Sequence, residues 1–169
     1  MSRSRRVALA ALFSSIIFIS KTVLPSPFDK IFVIVQAFFL GLGTLMLAPL
    51  GATLIAFTAG LLTAAWRAPL AIYTVTFAVV YGLLVDGFCY ALKARSNNQE
   101  VRRNRFIAAL TVSTVLVGMA SYYTTVHLFQ LLPRNLALEM GILVAGTLSG
   151  LAGGYLGSLI WRKYLQHLT

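Results

Sequence analysis

The chain has 169 residues, 59% of them hydrophobic and only 11% charged, and its formal net charge is +10. Its mean hydropathy of +0.84 excludes an ordinary water-soluble domain, in which charged residues recur along the whole sequence. The positive charge does not indicate nucleic acid as a partner, because no basic stripe alternates with aromatic residues.

Six apolar stretches follow along the chain, and each predicts a transmembrane helix, since a spanning helix needs about 20 mostly apolar residues. The first stretch follows basic residues as in a signal peptide, but it lacks a small-x-small cleavage site, which predicts an uncleaved helix. Prolines end or begin several of the others. The predicted spans are residues 7–24, 31–47, 51–66, 69–92, 106–132 and 136–161, which form one all-α membrane domain over residues 1–169.

The basic residues predict the orientation of these spans. Ten of the 14 lysines and arginines lie in three clusters, namely Arg3, Arg5 and Arg6, then Lys93, Arg95, Arg102, Arg103 and Arg105, then Arg162 and Lys163. Short loops rich in lysine and arginine stay in the cytoplasm, where they also meet anionic lipid headgroups. We therefore predict a multi-pass protein of the plasma membrane, a compact six-helix bundle with both termini cytoplasmic.

Polar and aromatic residues concentrate in the predicted outer half of the spans, where ionisable groups are costly and are therefore candidates for function. The set consists of Gln36, Trp66, Arg67, Tyr73, Tyr122, Tyr123, His127 and Glu139. Aromatic rings with a few hydrogen-bonding groups are typical of a small-molecule pocket, so we predict a substrate site here. Other interpretations stay open: Trp66 as an interfacial belt residue, His127 as a hydrogen-bonded histidine of the bundle, and Glu139 as a surface partner of Arg134.

Small residues recur every four positions in two spans, which predicts close helix packing. In the sixth span they are Gly146, Gly150, Gly154 and Ser158, and in the first span the pairs are Ala10 with Ser14 and Ala11 with Ser15. The sixth-span stripe packs either against a neighbouring helix of the same chain or against a partner subunit.

Catalytic chemistry is not expected. Membrane transferases with an Asp-Gly pair like Asp86-Gly87 hold metal ions with several aspartates, and this chain has only four acidic residues in all. The single cysteine, Cys89, excludes an intrachain disulfide and a cysteine metal site. Asp86 itself either bonds within the bundle, reaches a cytoplasmic cation or relays protons. We predict no enzyme activity, no metal site and no cofactor.

The stretch GLGTLMLAPLGATLIAFTAGLLTAAW, residues 41–66, resembles the second and third spans of the substrate-binding S components of energy-coupling factor (ECF) transporters. The similarity lies in the turn from Pro49 to Gly51 and in the spaced small residues that follow up to Gly60. The chain also resembles this family in its length, its six predicted spans and its predicted cytoplasmic termini.

The resemblance implies that a vitamin or a metal ion binds near the outer face, under the loop after the first span, which is residues 25–29 here. It also implies that small residues of the first helix contact a membrane coupling subunit. Ala10 with Ser14, or Ala11 with Ser15, would fill that role. The amino-terminal histidine of the cobalt and nickel branch is absent, so a metal substrate is not expected.

These observations predict a membrane subunit that captures a vitamin-like small molecule at the outer face and works with a membrane coupling subunit and ATPase subunits. The ATPases have to be separate chains, because the longest linker, residues 93–105, is too short to hold a nucleotide site. Two alternatives stay open. One is a non-catalytic scaffold subunit that docks partners through small-residue helix faces, and the other is a small proton-coupled carrier that uses Asp86 and Glu139.

Overall fold

The structure, a computed structural model, describes residues 3–22, 33–47, 49–66, 68–94, 101–127 and 135–165. These residues form six α-helices: α1 (Arg3–Thr22), α2 (Val33–Leu47), α3 (Gly51–Trp66), α4 (Ala71–Ala91), α5 (Arg103–His127) and α6 (Leu136–Ile160). A short 3₁₀ turn, Ala68–Leu70, leads into α4, and a π-helical turn, Trp161–Leu165, continues α6. The prediction of an all-helical chain with six helices is confirmed.

Three of the helices are long and apolar enough to cross a membrane: α4, α5, and α6 together with its π-helical turn. Helices α2 and α3 are apolar but shorter, with 15 and 16 residues. Two helices begin earlier than their predicted spans, α1 at Arg3 and α5 at Arg103. Arginine ends an apolar stretch without breaking the helical backbone, because it is a good helix former.

Glycines set the close contact between α5 and α6, which run antiparallel. A methyl group on Gly154 would lie 2.9 Å from the Cα of Ile107, and one on Gly150 would collide with the Cα of Thr111. Gly146 also faces α5. The small-residue stripe of α6 therefore packs against a helix of the same chain, which was one of its two predicted roles.

Close packing at glycines also joins α3 to α4. A methyl group on Gly82 would lie 2.6 Å from the Cα of Thr53, and one on Gly60 would lie 2.8 Å from the Cβ of Ala78. The order of these contacts makes α3 and α4 antiparallel as well. At the turn between α2 and α3, Gly51 packs directly on the backbone of Gly43 in α2. A side chain at Gly51 would therefore collide with α2.

The helices do not end at one level. Gly41 of α2 packs against the ring of Phe106, which would lie 3.0 Å from a methyl group there. From this contact α2 extends about 12 Å back to Val33, whereas α5 extends about 31 Å to His127, at 1.5 Å per residue. Helix α5, and α6 with it, thus reaches well past the start of α2.

Basic residues gather at the opposite end of the bundle. Lys93 follows α4, Arg102 precedes α5, and Arg162 follows α6. The guanidinium carbon of Arg103 lies 4.3 Å from the ring centroid of Tyr155 in α6, which fixes these helix ends side by side. We call this the basic end, and the end formed by the last turns of α5 and the first turns of α6 the far end.

The hydrophobic core lies in the basic half of the bundle. Its fully buried side chains include Ile17, Leu40, Ile55, Phe106 and Trp161, which come from α1, α2, α3, α5 and the turn after α6. The far half of α6 is covered on fewer sides. Leu136, for example, is 73% exposed.

Candidate functional site

At the far end, a hydroxyl network joins α4 to α5. The phenol oxygen of Tyr73 lies 2.6 Å from the Oγ of Ser121 and 3.1 Å from the Oγ1 of Thr125. Ser121 and Thr125 are one turn apart, and the Thr125 hydroxyl also donates to the Ser121 carbonyl at 2.8 Å. Tyr73 is therefore held at the hydroxyl end of its side chain.

A second link joins α5 to α6 through Tyr122. The backbone N–H of Asn135 donates to the Tyr122 phenol oxygen at 3.2 Å, and the phenol donates to the Asn135 carbonyl at 3.3 Å. The Asn135 side chain accepts from the N–H of Ala137 at 2.9 Å, so it caps α6. Glu139, one turn on, is buried and its N–H donates to the same Asn135 carbonyl.

Tyr123 and His127 form an accessible pair on α5. Their rings are nearly parallel, 13° apart in orientation and 6.0 Å apart at the centroids, as expected for residues one turn apart on a helix. Tyr123 also meets Tyr122 edge to face at 5.6 Å. Both Tyr123 and His127 are exposed, so the pair presents a flat aromatic surface at the far end.

Four of the eight predicted substrate residues thus lie together, and we call them the far-end polar group: Tyr122, Tyr123, His127 and Glu139. Tyr73 meets the opposite side of α5, because Ser121 and Thr125 lie about half a turn round the helix from Tyr123 and His127. Trp66 ends α3 and is 71% exposed. Arg67 lies outside the described residues.

Gln36 lies apart from the far-end polar group. It is buried on α2 next to Ala37, whose Cβ would lie 3.0 Å from a methyl group on Gly153 of α6. Glu139 precedes Gly153 by about 21 Å along the same helix. The structure therefore does not bring Gln36 and Glu139 into one pocket.

The predicted docking residues of α1 divide between two faces. Ser14 is buried and its hydroxyl donates to the carbonyl of Ile55 in α3 at 3.0 Å. Ala10 is half-buried, whereas Ala11 and Ser15 are exposed. Only the second pair presents small residues away from the bundle.

Asp86 accepts four hydrogen bonds within the bundle. They come from the hydroxyls of Thr44 and Thr53, each at 2.7 Å, and from the backbone N–H groups of Thr53 at 2.9 Å and Ala52 at 3.3 Å. The two N–H groups belong to the first turn of α3, so Asp86 caps that helix from another helix. Four donors suit a carboxylate, which only accepts. Of the three roles considered for Asp86, the structure shows hydrogen bonding within the bundle.

A large cavity lies at the basic end, where the sequence had not indicated a site. Its volume is about 1010 Å³, and it opens between the α2–α3 turn and the corner from α4 to α5. Its wall includes Leu50 on one side, Lys93 and Arg102 on the other, and Asp86 and Tyr90 from α4. We call it the basic-end cavity.

Two wall residues of this cavity have left-handed backbone conformations. They are Leu50, with φ of 62°, and Lys93, with φ of 47°, and they are the non-glycine residues with positive φ in the described part of the chain. Lys93 follows the end of α4, where its N–H donates to the Tyr90 carbonyl and the next N–H to the Cys89 carbonyl. This pattern is a Schellman motif, and its left-handed position is usually glycine.

Potential metal ligands do not converge among the described residues, where no three histidine, cysteine, aspartate or glutamate side chains come close enough to hold an ion. Comparison of the chain with protein-family models gave no match, and comparison with curated proteins and with solved structures gave none either.

Proposed function

We propose that the chain is a six-span protein of the plasma membrane, with the basic end in the cytoplasm and the far end in the outer half. Three long apolar helices support the membrane assignment. The basic clusters support the orientation, because loops rich in lysine and arginine stay in the cytoplasm. Helices α2 and α3 would span about 22–24 Å at 1.5 Å per residue, which a locally thinned bilayer or surrounding helices accommodate.

Within this arrangement, we propose that the chain is the substrate-binding subunit of an ECF-type uptake transporter. The observation that carries the proposal is the far-end polar group, in which the accessible Tyr123–His127 stack meets the ring of Tyr122 edge to face. Flat aromatic faces next to a few hydrogen-bonding groups suit a heterocyclic, vitamin-like molecule.

The exposed small residues of α1 are the candidate contact with a membrane coupling subunit. Helix α5 covers Gly150 of α6, and Ser14 is bonded to α3. Ala11 and Ser15 are exposed on the side of α1 that faces away from the bundle, where a second helix can approach closely. ATPase subunits would be further separate chains.

Small molecules released from the purified chain test the proposal directly. The chain is expressed alone, washed in detergent and denatured, and the supernatant is analysed by mass spectrometry. A heterocycle present in a stoichiometric amount supports the proposal and identifies the substrate. A chain that carries no small molecule, and binds none of the vitamins offered to it, would count against substrate binding.

Variants of the stack locate the site. Tyr123→Ala and His127→Ala should each weaken binding of the identified molecule roughly tenfold, the value of one aromatic contact, without lowering the unfolding temperature. Tyr164→Ala is the matched control, because Tyr164 is also exposed but lies at the basic end. Unchanged affinity in both stack variants removes them from the site.

One observation favours the alternative, a non-catalytic scaffold subunit. Beyond its contact with α5, the far half of α6 is open, and nothing lies within 4 Å of the place where a methyl group on Gly141 would sit. Leu136, Met140 and Val144 are exposed there. An empty chain that co-purifies with other membrane subunits, and loses them on Gly141→Leu, would favour the scaffold.

A further inference from the structure

The basic-end cavity arises from a step between two neighbouring helices. Gly82 of α4 packs against Thr53, which is in the first turn of α3. Beyond this contact α4 continues about 13 Å to Ala91, whereas α3 starts about 3 Å away. The α2–α3 turn therefore stops about 10 Å short of the end of α4. The cavity occupies the space that this leaves between the turn and the basic end of α4.

The rim of the cavity is positively charged. Lys93 and Arg102 line it and are exposed. They belong to residues 93–105, which contain five basic residues and one acidic residue, Glu100. The carboxylate in the cavity wall, Asp86, already accepts four hydrogen bonds from α2 and α3. The electrostatic potential at the rim favours an anion.

The wall along α4 is apolar and uncovered. Leu83, Gly87 and Tyr90 share one face of this helix and all line the cavity. Leu83 is 48% exposed and Tyr90 is 88% exposed, and a methyl group on Gly87 would meet no atom within 4 Å. This strip leads from the charged rim toward the middle of the bundle, so the cavity suits a molecule with an anionic head and an apolar tail.

We propose that the basic-end cavity binds an anionic phospholipid. The phosphate lies between Lys93 and Arg102, and an acyl chain follows the strip formed by Leu83, Gly87 and Tyr90. Cationic pockets between membrane helices recognise lipid headgroups in this way. The proposal rests on the membrane placement argued above, with the basic end in the cytoplasm, and is independent of the substrate bound at the far end.

Lipid retention by the purified chain tests the proposal. The chain is reconstituted in vesicles of phosphatidylcholine mixed with phosphatidylglycerol, extracted in mild detergent and analysed by native mass spectrometry. We expect one phosphatidylglycerol per chain to survive extraction. Removing both rim charges with Lys93→Gln and Arg102→Gln should weaken this binding roughly 30-fold, since each basic residue near an anionic headgroup contributes a factor of about five.

A matched control separates the cavity from the general charge of this end. The double variant Arg162→Gln and Lys163→Gln removes the same charge from the turn after α6, outside the cavity wall, and should retain the lipid. Equal losses in the two double variants would overturn the proposal. So would equal retention of phosphatidylcholine and phosphatidylglycerol.

A third variant tests the apolar strip without touching the charges. Gly87→Leu places a side chain in open space, so it should not lower the unfolding temperature but should reduce lipid retention at least several-fold. Retention equal to that of the native chain would show that no acyl chain lies on α4. Displacement of the bound lipid by inorganic phosphate alone would assign the cavity to a free phosphate instead and would also refute a lipid site.

Discussion

Replacing Asp86 with asparagine should loosen the junction between α2, α3 and α4. The side chain is only 8% exposed and its two oxygens accept from four donors. Asparagine keeps one acceptor oxygen and turns the other position into a donor. A threonine hydroxyl can rotate to accept from the new NH₂ group, but a backbone N–H cannot. Either orientation of the amide therefore leaves the N–H of Ala52 or of Thr53 without an acceptor.

One orphaned buried N–H costs about 1–3 kcal/mol, and loss of the charge weakens the remaining bonds, so we expect a total near 3 kcal/mol. For a chain of this length that corresponds to an unfolding temperature about 6–12 °C lower, followed by helical circular dichroism in one detergent. Thr53→Val should destabilise more than Thr58→Val, because Thr58 bonds only within α3. If Asp86→Asn unfolds at the same temperature as the native chain, the capping role is refuted.

The remaining predictions concern backbone positions and use the same unfolding assay. Gly150→Ala should cost about 1–3 kcal/mol, because its methyl group meets the Cα of Thr111, whereas Gly141→Ala in the open half of α6 should stabilise by about 0.5–1 kcal/mol. The same sign for both would contradict the packing of α5 on α6. Lys93→Gly should stabilise by about 1 kcal/mol, because glycine adopts the left-handed conformation at φ of 47° without steric cost. A loss of stability would show that the lysine side chain contributes more than the conformation costs.

The order of the helices and several of their ends follow from the sequence alone. Both ends of α3, the end of α2 at Leu47 and the start of α6 at Leu136 agree with the predicted spans. Proline and glycine mark these ends, and their effect on the backbone is local. The first span was predicted to begin at residue 7, whereas α1 begins at Arg3. The length of an apolar stretch reports the extent of a membrane span and not that of the helix.

The relative depth of the helices could not be predicted. Assigning Gln36 and Glu139 to one level assumes that every helix starts in the same plane. The structure places α5 and α6 well beyond α2, because glycine contacts such as that of Gly153 with Ala37 set the offset between helices. Such contacts depend on which helices are neighbours, and periodicity within one helix carries no information about that.

The basic-end cavity was missed for a related reason. Its walls come from the α2–α3 turn and from the corner after α4, which are far apart in the sequence. Lys93 belonged to a recognised basic cluster, but neither the cluster nor the turn at Leu50 indicates a cavity by itself. The bonding of Asp86 was among the alternatives, since a lone buried acid in an apolar helix needs donors nearby.

The hydrogen bonds of Asp86 have a consequence for how the bundle moves. One side chain fastens α2, α3 and α4 at a single point, so these helices are expected to shift as one rigid body. Helix α4 meets α5 through paired hydroxyls such as Tyr81 with Thr114, 2.7 Å apart. A hinge between α2–α4 and α5–α6 would have to open the close contact of Gly153 with Ala37 and break the hydrogen bond from the Arg102 N–H to the Ala94 carbonyl. Lys93 and Arg102 are therefore expected to keep their separation when the bundle moves.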